Sequence, residues 1–111
     1  MKIIALFSLS LILFTTNSQA STWCEAYIDA VVPTADGITV LSTSSYNGEK
    51  IDVMKKEYSD SNFGNVYMRL LDAKDSRYEV RLYPVSGKGE EDGAVCDDGV
   101  TDYLRSVYRP F

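Results

Sequence analysis

The stretch from Gly64 to Val85 constrains the fold of this chain more than any other. Arg77-Tyr78-Glu79-Val80-Arg81-Leu82-Tyr83 alternates polar and apolar side chains with a period of two. That is the pattern of a strand with one buried and one solvated face. Asn65 to Leu71 lies before it, and the turn-prone Asp72-Ala73-Lys74-Asp75-Ser76 stands between the two halves. Read together they predict a β-hairpin. Val66, Met68 and Leu70 would join Tyr78, Val80 and Leu82 on its inner face. Tyr67, Arg69, Arg81 and Tyr83 would share the outer face. Tyr and Arg are ordinary strand residues, yet they also recur in binding hot spots, so this face is a candidate partner-binding surface.

The first twenty residues read as a leader rather than as part of the fold. Lys2 precedes an apolar run from Ile3 to Phe14, Thr15 to Gln19 is polar, and Ser18-Gln19-Ala20 supplies small residues at the end. This is the layout of a cleaved secretory signal peptide. The run falls short of the roughly 20 apolar residues of a membrane-spanning helix, and no later segment approaches that length. Residues 21–111 are then expected to form one small domain, exported to the periplasm or the cell exterior.

Charge narrows the partners. Lys2 leaves with the leader, so the 11 basic residues fall to 10 against 16 acidic ones, a net charge near −6. Nucleic acid and anionic membranes both demand a basic footprint and are therefore poor partners for this chain. A cationic protein partner fits better, with solubility as the plain alternative role for the charge.

Cys24 and Cys96 are the two cysteines. In an oxidising compartment the pair predicts one structural disulfide. It would close a loop of about 70 residues, which the chain-entropy model credits with roughly 4 kcal/mol. Their distance in sequence is unlike the Cys-x-x-Cys of redox sites.

Trp23 to Val32 suits a strand with Cys24, Ala26, Ile28, Ala30 and Val32 on one side, although Cys24, Tyr27, Ile28 and Val31 also share a helical face. The strand reading is preferred because Pro33 ends the segment early. Ala35-Asp36-Gly37 is a turn signal. Ile38 to Ser42 is a second strand, and Asn47-Gly48 marks a tight turn. Lys50 to Tyr58 is a third. Beyond the hairpin, residues 86–93 form an exposed loop and Asp97-Asp98-Gly99 a further turn. Val100, Tyr103, Leu104 and Val107 fall at i, i+3, i+4 and i+7, which predicts a C-terminal helix over 98–108 capped by Asp97 or Asp98. The expected fold is mainly β, with α+β as the alternative: a single small antiparallel sheet of about five strands, a C-terminal helix and one disulfide.

Catalytic equipment is sparse. The chain has no histidine, which removes the commonest general base, the commonest zinc ligand and every Ser-His or Cys-His pair. No Gly-rich phosphate loop or dinucleotide fingerprint is present. The expectation is therefore a non-enzyme without cofactor or metal. Glu90, Glu91, Asp92, Asp97 and Asp98 form an acidic cluster whose spacing departs from an EF-hand loop, so it reads as a solvated loop or a docking element for a cationic partner. Export, acidity and a stapled scaffold together point to a binding protein of the cell envelope. Its first version is an inhibitor or immunity protein that occludes a secreted or wall-active hydrolase or toxin. A small-ligand or calcium-binding carrier and a subunit of an envelope assembly are the alternatives.

Overall fold

The computed structural model describes residues 23–87 and 93–109. The leader expected over 1–20, and Glu90, Glu91 and Asp92 of the acidic cluster, lie outside the described residues. Within them run β1 (Cys24–Pro33), β2 (Gly37–Ser44), β3 (Met54–Glu57), helix α1 (Phe63–Ser76), β4 (Val80–Val85) and β5 (Asp102–Tyr108).

The five strands close into a barrel in the order β1-β2-β3-β5-β4, with β4 returning to β1. Every pairing is antiparallel except β3 with β5, which is parallel. The sheet is therefore mixed rather than purely antiparallel. This order, with a helix joining β3 to β4, is the connectivity of an OB-type Greek-key barrel. Closure leaves no free sheet edge, the usual liability of a small β domain.

The inner side of the barrel holds Ala26, Ile28, Val40, Met54, Leu82 and Leu104, all essentially inaccessible, and α1 adds Val66, Leu70 and Ala73. The helix packs on β1 and β5. The expected disulfide is present between Cys24 and Cys96, 72 residues apart, and it ties the start of β1 to the loop before β5. For a thin-cored domain this link fastens the first strand to the connection that leads into the last.

Two elements differ from the sequence reading. The first half of the expected hairpin is not a strand: Phe63–Ser76 is a 14-residue helix. Val66, Leu70 and Ala73, at i, i+4 and i+7, form its buried stripe, while Met68, assigned inward in a strand, is 66% exposed. The Asp72-to-Ser76 segment reads as a turn locally, but here it is the last turn of the helix, which ends on Arg77 in the left-handed region (φ 56). Arg77 then donates to the carbonyl of Ile28 at 3.3 Å, holding the reversal against β1.

The second difference is at the C-terminus, where residues 102–108 form strand β5 and not a helix. Asp102 and Leu104 point inward, and so does Val107, one residue out of phase. Tyr83 pairs with Ser106 and the next residue, Pro84, with Leu104, so Arg105 is an extra residue on β5 and shifts its phase. The slip explains why neither parity of this segment is cleanly apolar. β1 is the strand expected, and a similar irregularity between Ile28 and Ala30 turns Val32 outward while Val31 packs against the core.

Candidate functional site

One end of the barrel carries a pocket of about 340 Å³, where the start of β1, the β2–β3 connection and the β4–β5 connection meet. Pockets of small ligands begin at about 300 Å³. Ile51 and the Cys24–Cys96 disulfide contribute apolar wall, and Glu25, Ser44, Asn47, Glu49, Lys50 and Asp97 contribute polar groups. Two aromatic rings complete it: Trp23, 39% exposed, and Tyr46, 89% exposed.

Local structure presents these groups. Tyr46 and Asn47 stand at the tip of a tight turn in which Gly48 takes φ 76, a conformation costly for any residue with a Cβ. The Ser44 hydroxyl accepts the backbone N–H groups of Tyr46 at 3.1 Å and Asn47 at 3.4 Å, and Asn47 Oδ1 accepts that of Glu49 at 2.9 Å. The turn is thus built by its own side chains, which leaves the Tyr46 ring in solvent. Trp23 is held from β4. The guanidinium of Arg81 lies 4.6 Å from its ring centroid, the Tyr83 ring lies 6.0 Å away, and the indole N–H reaches Glu25 Oε2 at 3.4 Å. Glu25 and Arg81 are cross-strand partners, 3.5 Å apart.

The outer-face cluster expected of the hairpin is accordingly divided. Arg81 and Tyr83 stay together beneath Trp23, whereas Tyr67 and Arg69 depart with the helix. Tyr67 stacks on Phe63 at 5.4 Å against the core, and Arg69 is exposed at the far side of α1. The acidic cluster is divided too: Asp97 lines the pocket, and Asp98 turns toward two carboxylates that the sequence reading did not single out.

Those two are Asp52 and Asp102. Carboxylate oxygens of Asp52, Asp98 and Asp102 all lie within 4.8 Å of one another. Asp52 accepts the backbone N–H of Asp98 at 3.0 Å and of Gly99 at 2.8 Å, while its own N–H bonds the Cys96 carbonyl at 2.9 Å. Asp102 is 1% exposed, and among the described residues its Oδ2 has no hydrogen-bond partner. Burial, followed by the charges of Asp98 and Asp52, pushes its carboxyl up to about 6. Burial also raises Asp52, reinforced by its side-chain hydrogen bond with Asp98; that same bond holds Asp98 low.

The signals that could have located these groups are faint. Tyr46 is an aromatic residue in an otherwise Ser, Thr, Asn and Gly loop. Asp102 is an acid on the same parity as Leu104, a disagreement visible only once the segment is read as a strand. No helix among the described residues is long and apolar enough to cross a membrane. Comparison of the chain with protein-family models, with curated proteins and with solved structures finds no match.

Proposed function

We propose that this chain is an exported, non-catalytic binding protein of the cell envelope, and that its ligand is a saccharide held at the Trp23–Tyr46 pocket. The observation that carries the reading is the pairing of two accessible aromatic rings with carboxylate and amide groups around one concavity. Sugars present apolar C–H faces that lie on aromatic rings, and hydroxyls that donate to carboxylates. Apolar wall and polar groups converging on one concavity are the general form of a small-ligand site. OB-type barrels are used for oligonucleotides and oligosaccharides, and a net charge of −5 opposes the former by repelling phosphates. The fold alone carries no activity, so the weight rests on the pocket. The disulfide agrees with an oxidising, exported setting.

A glycan array probed with the labelled, disulfide-intact protein tests this. Binding to a restricted set of saccharides, abolished by Tyr46→Ala, is the expected result. Binding to none removes the proposal.

The acidic balance favours a second reading, occlusion of a cationic hydrolase or toxin as an inhibitor or immunity protein. Glu25, Glu49 and Asp97 would then receive basic side chains of the partner. Capture from an envelope extract at low and then high salt tests it, and recovery of no protein under either condition excludes it.

A further inference from the structure

We propose that Asp52, Asp98 and Asp102 form a divalent-cation site, of calcium type, that clasps the β4–β5 connection to the barrel. Three carboxylates converge here from three separate parts of the chain: the segment before β3, the turn before β5, and the first residue of β5 itself. Two ligands of one calcium ion, each bonded at 2.3–2.6 Å, stand at most about 5 Å apart. The three groups, with oxygens within 4.8 Å of one another, satisfy that limit.

The cluster alone would be an acidic patch of no consequence. Asp102 makes it more. Its side chain is buried to 1%, its Oδ2 is unpartnered among the described residues, and its carboxylate faces the other two. A buried acceptor without a partner costs the full desolvation of that group, and a buried charge without a counter-charge costs more. Ion pairs elsewhere in the fold join Lys50 to Asp29, Lys56 to Asp60, Lys74 to Asp75 and Arg81 to Glu25. No lysine or arginine among them serves the trio. A hard dication supplies the missing positive charge and takes oxygen ligands by preference, with water free to complete the shell from the side of exposed Asp98. Zinc and copper, which favour nitrogen and sulfur, find neither here.

The site would act on the loop. Asp52 already grips the backbone of Asp98 and Gly99, and the adjacent Asp97 and Cys96 line the saccharide pocket. The cation site does not depend on that pocket's proposed role.

Thermal melts of the disulfide-intact protein at pH 7.5, in EDTA and then with added CaCl₂ or MgCl₂, test it. A ligand of the native state raises the midpoint, by roughly 10 °C once calcium is about 100-fold above its Kd. Asp98→Asn, on the exposed side, should fold normally and lose the shift. Asp102→Asn should lose it too while melting in EDTA no lower than the parent, because it removes the uncompensated buried charge. A shift with magnesium equal to that with calcium overturns the calcium assignment. No shift with either ion, or a shift kept in both variants, overturns the site.

Discussion

The guanidinium of Arg81 stands 4.6 Å from the centroid of Trp23 and so covers one side of the only tryptophan in the chain. The contact joins the residue just before β1 to the start of β4, beside the Glu25–Arg81 ion pair that the strand register dictates. It makes Trp23 a built-in reporter of the pocket wall. Arg81→Ala is expected to red-shift the tryptophan emission as water replaces the cation. Because the pair is partly exposed, the loss of stability should stay near 0.5–1 kcal/mol. An unchanged emission maximum would contradict the contact.

Asp102 predicts an unusual pH response in metal-free protein. Its folded-state value of about 6 lies above the roughly 3.9 of an unfolded aspartate. Between the two the native state holds the extra proton, so stability falls as pH rises. The stabilising effect is complete below about pH 4 and lost by about pH 7. Urea unfolding in EDTA should therefore give a higher free energy near pH 5 than near pH 7.5, by about 1.4 kcal/mol. Asp52, also raised, contributes with the same sign, and Asp98, held low by the hydrogen bond the two share, opposes it. Asp102→Asn should flatten most of the slope, and an unaltered slope would show that other groups produce it.

Gly37 and Gly64 make an internal contrast. A Cβ on Gly37 would lie 1.9 Å from the carbonyl oxygen of Lys56 and 2.7 Å from the Cα of Glu57, both backbone atoms of the paired strand β3. Gly37→Ala must push β2 away from β3 and is expected to cost about 3 kcal/mol. Gly64, in the first turn of α1, has nothing within 4 Å of the added atom, so Gly64→Ala should be neutral or stabilise by up to about 1 kcal/mol. Chemical denaturation of the two variants distinguishes them.

Legibility in the sequence followed the range of the forces involved. β1 and β2 were readable because inward residues such as Ile28 and Val40 announce a buried face locally. The disulfide was readable because a chain with two cysteines has one possible intramolecular pairing. The helix was misread as a strand because Val66, Met68 and Leu70 also fit a period of two. Only burial distinguishes Leu70, fully enclosed, from Met68, mostly in solvent. β5 reads as a helix because its own extra residue, Arg105, between the pairs Pro84–Leu104 and Tyr83–Ser106, breaks the strand alternation after Leu104 and leaves Tyr103, Leu104 and Val107 at helical spacing.

The sequence by itself determined the mainly β character, the single staple and the acidic, histidine-free surface, since these depend on composition and on neighbours along the chain. Tertiary structure alone decided the barrel's closure, the parallel β3–β5 pairing and the meeting of Asp52 with Asp98 and Asp102. It also decided that Trp23, Tyr46 and Asp97 should share one pocket. Those groups are separated by tens of residues, and the closed sheet brings them to the same end because each strand's direction is fixed by its hydrogen-bonded neighbours rather than by its own residues.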